Sequence, residues 1–253
     1  MRIVRYQRPD GRAGYGSLDA DDICQLPGLD AAAEPGDVVA SLSDVTLLAP
    51  CKPTKVVCAG RNYAAHIKER GQEWPQEPFL FLKGPNTVVG HGAEVIRPKG
   101  VERFDYEAEL TLVFGKRAHR VPAAQWRDYV VGFTCGNDYS VRDWQKENVQ
   151  WFRAKSSDTL CPLGPWIETD VPEPEQLRIR TLVNGDVRQD SNTSDLVFKL
   201  PQLVEFLTST VTFEPGDVVL TGTPSGVGNV DPGDVVEVEI EGIGTLRNTI
   251  VEE

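Results

Sequence analysis

The stretch from Phe104 to Phe114 sets the tightest limit on this chain. Leu110 to Phe114 is a short, mainly apolar run closed by Gly115, the pattern of a buried strand. Side chains alternate along a strand, so Glu107 and Glu109 share one face, roughly 6.5–7 Å apart along the chain. Tyr106, Ala108 and Leu110 take the other face. Two carboxylates at the mouth of a buried strand repel each other and resist desolvation. They need water, basic side chains, or a hard divalent cation, which prefers carboxylate oxygen. An exposed edge strand with both glutamates in solvent meets the same need. The rest of the chain has to separate the two readings.

At 253 residues the chain can form one large domain, or one domain with a small appendage. A composition of 40% hydrophobic and 25% charged residues is that of a soluble globular protein. The formal net charge of −12 argues against nucleic acid or an anionic membrane as partner. An acidic protein that takes an anionic substrate must gather positive charge locally, where a bound metal would help. Cys24, Cys51, Cys58, Cys135 and Cys161 are scattered and odd in number, and form no C-x-x-C pair. That usage predicts reduced thiols. No apolar segment follows Met1 and no run is long enough to span a bilayer, so the expected compartment is the cytoplasm.

Residues 1–50 are expected to form a small β-rich appendage. Arg2–Gln7 and Ala13–Leu18 pair as a hairpin across Pro9-Asp10-Gly11, while residues 30–48 are open between a short helix and loops. Ala49-Pro50-Cys51-Lys52-Pro53 marks a boundary, after which residues 51–253 form the main domain. There a strand at Lys55–Ala59 leads to Asn62, a candidate N-cap for a helix through Arg70 that Gly71 stops. His66 and Glu69 share a face of that helix, as an ordinary surface pair would. An apolar strand at Tyr129–Cys135 runs into Gly136-Asn137-Asp138, where the Asp is either a ligand or turn chemistry. Ser140 is the expected cap of a helix over residues 141–148 that presents Arg142, Gln145 and Lys146. Lys155 sits among small residues just before a strand at Thr159–Ile167. Asn184-Gly185 is a strong hairpin signal, and Leu200, Leu203, Val204 and Leu207 mark the apolar stripe of a helix. The segment Thr221–Gly228 carries three glycines that allow close approach of backbone to a ligand, without the lysine of a P-loop. Many short strands and few helices make a β-dominated α+β fold.

Taken together, these segments resemble the fumarylacetoacetate hydrolase family. The resemblance is carried by Gly60-Arg61-Asn62-Tyr63 with His66 and Glu69, and by Asp105-Tyr106-Glu107-Ala108-Glu109-Leu110. It continues through Gly136-Asn137-Asp138 with Arg142 and Gln145, Lys155-Ser156 to Trp166, Val183-Asn184-Gly185, and Thr221 to Gly228. These segments keep their order over residues 50–250, and Ser157 departs from the aromatic residue that the family often carries there. The resemblance implies a β-rich rolled mixed sheet, a homodimer, and a Mg2+, Mn2+ or Ca2+ ion held by Glu107, Glu109 and Asp138. A site of carboxylates without Cys or His suits Mg2+ or Mn2+ better than Zn2+.

By the same resemblance the substrate is a 2-oxo acid or its enol. Lys155 would face a developing enolate, and His66, oriented by Glu69, would be the general base. Arg61, Tyr63, Arg142, Gln145 and Thr223 are assigned to the substrate. The expected reaction is hydrolysis of a C–C bond in an acylpyruvate, such as fumarylpyruvate or acetylpyruvate, releasing pyruvate. Oxaloacetate decarboxylation and isomerisation of a hydroxymuconate-type diacid in aromatic catabolism are the alternatives. A silent binding protein on the same fold ranks last, because every reactive position is filled.

Overall fold

A strand buried on both faces needs a layer on each side, and the architecture supplies both. The computed structural model describes residues 1–69, 71 and 73–253. Among them a twelve-stranded sheet carries the central order Arg2–Gln7, Cys161–Glu168, Val130–Asn137, Ala108–Phe114, Val218–Leu220, Val56–Gly60 and Phe79–Lys83. Most neighbours are antiparallel, but Val218–Leu220 runs parallel to Val56–Gly60. A second, five-stranded sheet holds Asp186–Asn192, Arg178–Val183, Val235–Ile240, Gly244–Glu252 and Glu94–Arg97. The chain is strand-dominated with mixed pairing, as expected.

Alternation assigns the two faces. Leu110, Leu112 and Phe114 join Ile179, Val238, Ile240 and Leu246 of the second sheet, and Leu200, Val204 and Leu207 of the helix Leu200–Thr208, in one core. Val113, Val218 and Leu220 point the other way, into a core with Ile3, Cys161 and Ile167. Every residue of Ala108–Phe114 is therefore buried. That explains the mainly apolar run.

The N-terminal hairpin has Arg2 opposite Leu18 and Gln7 opposite Ala13. It joins the large sheet through Arg2 opposite Glu168 and Ile3 opposite Ile167. Residues 30–48, ambiguous in sequence between helix and loop, contain the strands Val38–Ser41 and Thr46–Leu47 around one short 3-10 turn. The hairpin at Asn184-Gly185 forms with φ of 53° and 85°, the left-handed pair that a tight two-residue turn requires. No helix among the described residues is long and apolar enough to cross a membrane.

Two expected helix caps are corrected. Asn62 is 1% exposed and does not cap the helix Ala64–Glu69. Its Nδ2 donates to the carbonyls of Phe198 (3.1 Å) and Thr221 (2.8 Å), and its Oδ1 accepts from the Phe198 N–H at 2.7 Å. Distant backbone outcompetes the adjacent helix for this amide. Arg70, the expected last residue of the helix, lies outside the described residues. Ser140 is likewise no cap: it pairs as a strand residue with Asp105, and its hydroxyl donates to the Asp138 carbonyl at 3.1 Å.

Asn62 thus ties together three segments, two of which, its own and the one after Thr221, reach the same cavity. Asn62→Ala orphans buried backbone groups on two of them and is expected to cost roughly 1–3 kcal/mol. The urea midpoint should fall with the slope unchanged. An unmoved midpoint would show that water replaces the amide.

Candidate metal centre and active site

The antiparallel pairing of Ala108–Phe114 with Val130–Asn137 sets Glu109 opposite Gly136 and Ala108 opposite Asn137. Asp138 therefore leaves its strand beside the two glutamates. The Asp138 N–H donates to the Glu107 carbonyl at 2.9 Å, and the Glu107 N–H donates to Asn137 Oδ1 at 2.9 Å. The candidate ligand atoms of Glu107, Glu109 and Asp138 all lie within 4.8 Å of one another, and all three residues are buried.

The three carboxylates are compensated unequally. Arg142 bonds Glu107 Oε1 through Nη2, and Lys155 Nζ bridges Glu107 Oε2 at 2.7 Å and Asp138 Oδ2 at 2.6 Å. Lys83, its side chain fully buried, donates to Asp138 Oδ1 at 2.5 Å and to the Tyr139 carbonyl at 3.1 Å. Glu109 has no ion-pair partner among the described residues. Among those residues its Oε2 accepts one hydrogen bond, from the Gly222 N–H at 2.6 Å.

The electrostatics follow that asymmetry. Burial opposes the charge on Glu107, but Arg142 and Lys155 outweigh it and hold the carboxyl well below the usual carboxylate range. Burial pushes Glu109 well above that range, and neighbouring Asp138 and Glu107 push it further. Burial disfavours the Lys155 ammonium too, yet Asp138 and Glu107 more than restore it. A cluster with two carboxylates satisfied and the third short of a cation is a fitting seat for a divalent ion with oxygen ligands.

A cavity of about 290 Å³ opens over the cluster. Besides the three carboxylates, its wall includes Arg61, His66, Phe81, Arg103, Arg142, Gln145, Lys146, Trp151, Lys155 and Thr223. His66 Nδ1 lies 3.2 Å from Glu69 Oε2, and Glu69 Oε1 accepts the Gly226 N–H at 3.3 Å. A Nδ1–H donated to Glu69 makes Nε2 the basic nitrogen of the ring. Thr223 Oγ1 accepts from Gln189 Nε2 at 2.9 Å, so its own O–H can donate elsewhere.

Gly222 explains why this loop carries glycine. Its φ is +107°, and a Cβ there would sit 2.8 Å from Asn62 Cβ. The left-handed turn brings its N–H onto Glu109 and delivers Thr223 to the cavity.

Two assignments to the substrate change. Tyr63 is fully buried in the core shared with Leu110 and Leu196, and it does not reach the cavity wall. Arg142 does line the cavity, but it is no free fork for a substrate carboxylate. Its Nε donates to Asp105 at 2.7 Å and its Nη1 to Gln145 Oε1 at 2.8 Å, with Nη2 on Glu107.

Sequence reasoning missed Lys83 and Asp105. Lys83 closes an apolar strand, where a lysine is ordinarily solvated. Asp105 is fully buried between Arg103 (2.8 Å) and Arg142 (2.7 Å), whereas in sequence it is only a neighbour of the E-x-E. Asp105 stands between the buried Phe104 and Tyr106, whereas Lys83 follows the exposed Leu82. In neither case does the local sequence supply the partner that makes the burial possible.

Comparison with known proteins places the chain in a family. Residues 55–251 match the family model described as fumarylacetoacetate hydrolase C-terminal, and residues 1–50 match one described as Rv2993c-like, N-terminal. The chain belongs to the fumarylacetoacetate hydrolase family. It is 42% identical to Protein Rv2993c of Mycobacterium tuberculosis, over 99% of this chain and 98% of that one. It is 43% identical to the oxaloacetate tautomerase YisK of Bacillus subtilis, over 86% of this chain and 77% of the relative. The solved structure of 5-carboxymethyl-2-hydroxymuconate delta-isomerase from Mycobacterium smegmatis superposes with a TM-score of 0.91 at 42% identity. That match covers 100% of this chain and 99% of the other.

The raised Glu109 carboxyl has a measurable consequence. A divalent ion needs the carboxylate, so binding must expel the proton that Glu109 holds below its raised pKa. Affinity for Mn2+ is therefore expected to fall as pH falls through that pKa, with proton release on binding. Calorimetry in buffers of different ionisation enthalpy measures both. Glu109→Gln should lose most of the affinity, and with it the pH dependence and the metal-induced rise in melting temperature. A pH-independent affinity in the parent would overturn this account of Glu109.

Proposed function

We propose that the chain is a divalent-metal-dependent enzyme of enolate chemistry, moving a proton at C3 of a short 2-oxo diacid of the oxaloacetate type. The observation that carries the proposal is the make-up of one small cavity. An imidazole and a set of cations share it with three convergent carboxylates.

A divalent ion bound by Glu107, Glu109 and Asp138 would act as a Lewis acid toward the substrate's carboxylate and C2 oxygen. The remaining work falls to side chains. His66 accepts the C3 proton, the C–H electron pair becomes the C2=C3 double bond, and the carbonyl pair moves onto the C2 oxygen. Lys155 faces that oxygen as its charge grows, which is the moment at which a fixed ammonium stabilises most. Return of the proton to oxygen gives the enol, and return to carbon regenerates the oxo acid. Glu69 holds the imidazole ring, while Gln145 and Thr223 orient the substrate.

The cation set favours a diacid. Arg61, Arg103, Arg142, Lys146 and Lys155 share the cavity wall with three carboxylates, before any divalent ion is added. The tautomerase and isomerase named among the relatives act, by their names, on oxaloacetate and on a carboxymethyl-hydroxymuconate. Hydrolysis of an acylpyruvate is the second reading. It is favoured by the intact His66–Glu69 pair, which could equally deprotonate a water, and by the likeness to a maleylpyruvate hydrolase at 30% identity and TM-score 0.83.

One assay separates the two. The Mg2+- or Mn2+-loaded protein is given oxaloacetate, followed by enol absorbance, and then acetylpyruvate and fumarylpyruvate, followed by pyruvate release. Enol–oxo exchange without C–C cleavage is the expected result, and pyruvate release alone would hand the assignment to hydrolysis. His66→Ala should lower kcat by roughly 10²–10⁴, the usual weight of a general base. Lys155→Met should lower it by roughly 10²–10³. A Lys155→Met protein within a few-fold of the parent would show that the lysine only balances the carboxylates.

A further inference from the structure

The cavity's cations are not equivalent, and the difference identifies one as a specificity determinant. Lys155 is already paired with Glu107 and Asp138, which leaves one N–H for the C2 oxygen, while Arg142 is paired with Glu107 and Asp105, and Arg103 with Asp105. Lys146 is exposed on its helix. Arg61 has no carboxylate within salt-bridge distance among the described residues, and its Nε is buried without a hydrogen-bond partner.

That guanidinium is nevertheless held in place. Arg61 adopts φ +56°, a left-handed conformation that a non-glycine residue keeps only when its surroundings require it. Its guanidinium carbon lies 4.9 Å from the centroid of the Phe79 ring, which packs against Trp151 at 5.1 Å. Gly60 makes room for this ring, since a Cβ there would sit 2.9 Å from Phe79 Cδ1. The result is a fixed, shielded and uncompensated guanidinium on the wall of an anion-binding cavity. A preorganised fork of this kind matches a carboxylate.

We infer that Arg61 receives the distal carboxylate of the substrate, the one remote from the 2-oxo group, and so selects dicarboxylates over monocarboxylates. The inference rests on the 2-oxo acid reading of the site. Arg61 is a specificity residue here and takes no part in the proton transfer.

The test uses a matched pair of four-carbon ligands. Oxaloacetate and 2-oxobutyrate share the 2-oxo acid end and differ at C4, carboxylate against methyl. Their dissociation constants are measured by calorimetry on the Mn2+-loaded protein. The parent should prefer oxaloacetate by roughly tenfold or more, the weight of one charge-assisted pair. Arg61→Asn keeps a residue tolerant of the left-handed backbone and removes the charge. It should weaken oxaloacetate roughly 10–100-fold, as expected for truncating one member of a shielded charge pair. It should leave 2-oxobutyrate within about threefold, and Arg61→Lys should recover part of the preference. Arg103→Met and Lys146→Met should keep the preference. The subsite assignment is overturned if Arg61→Asn retains the preference, if it weakens both ligands alike, or if Arg103→Met or Lys146→Met abolishes the preference instead. Equal binding of both ligands by the parent sinks the subsite alone and leaves the 2-oxo acid reading standing. A parent that binds neither ligand sinks that reading as well.

Discussion

Three buried carboxylates, packed close enough to share one ion, are the constraint to which the site is built. Each anion taken from water loses several kcal/mol of hydration that the protein must replace. The replacement comes from far along the chain: Arg142 on Glu107, Lys155 between Glu107 and Asp138, and Lys83 on Asp138. It stops short at Glu109, which receives a single backbone N–H among the described residues. The cluster is thus pre-organised and left incomplete at one member. Full compensation by protein cations would leave no reason for a metal ion to enter, and no compensation would drive the carboxyls neutral.

The same constraint explains the glycine-rich loop from Thr221 to Gly228. It follows a strand that pairs with the metal-candidate strand, Thr111 opposite Leu220. Its Gly222 N–H reaches Glu109, its Thr223 lines the cavity, and its Gly226 N–H reaches Glu69. One loop therefore holds a candidate metal ligand and the partner of the candidate base in a single frame. Asn62 binds the start of that loop to the segment before the His66 helix. The base and the carboxylate cluster cannot drift apart without breaking buried hydrogen bonds.

Legibility in the sequence tracked the range of the interactions. The Asn184-Gly185 hairpin, the stripe Leu200–Leu207 and the run Leu110–Phe114 depend on local periodicity or turn chemistry, and all three were readable. The E-x-E and the G-N-D were readable as carboxylates at strand ends, and antiparallel register brings them together. Asn62 and Ser140 were misread for one physical reason. Each is a good local cap by residue type, but a buried partner distant in sequence or in the sheet claims the residue. Tyr63 lies one residue beyond Asn62 and faces the core rather than the cavity, and strict alternation over so short a segment could not be known in advance. Lys83 and Asp105 were illegible because burying a charge makes sense only once its partner is located.

The carboxylate cluster by itself does not choose a reaction. An enolate stabilised by a cation and an ammonium is common to proton transfer, decarboxylation and retro-Claisen cleavage of a 2-oxo acid. What separates these outcomes is the substrate's far end: whether C4 is a carboxylate that stays, a carboxylate that leaves, or a carbonyl that water attacks. Decarboxylation is fastest when the departing carboxylate sits in apolar surroundings that destabilise its charge. A guanidinium fixed against that carboxylate does the opposite and holds the C3–C4 bond intact. Arg61, braced over Phe79 and with no protein carboxylate within salt-bridge distance among the described residues, is placed for that second arrangement. If Arg61 receives the distal carboxylate as inferred, the site would favour moving the C3 proton over losing carbon dioxide. Reaction type, on this view, is decided by a cation elsewhere on the cavity wall and not by the metal ligands themselves.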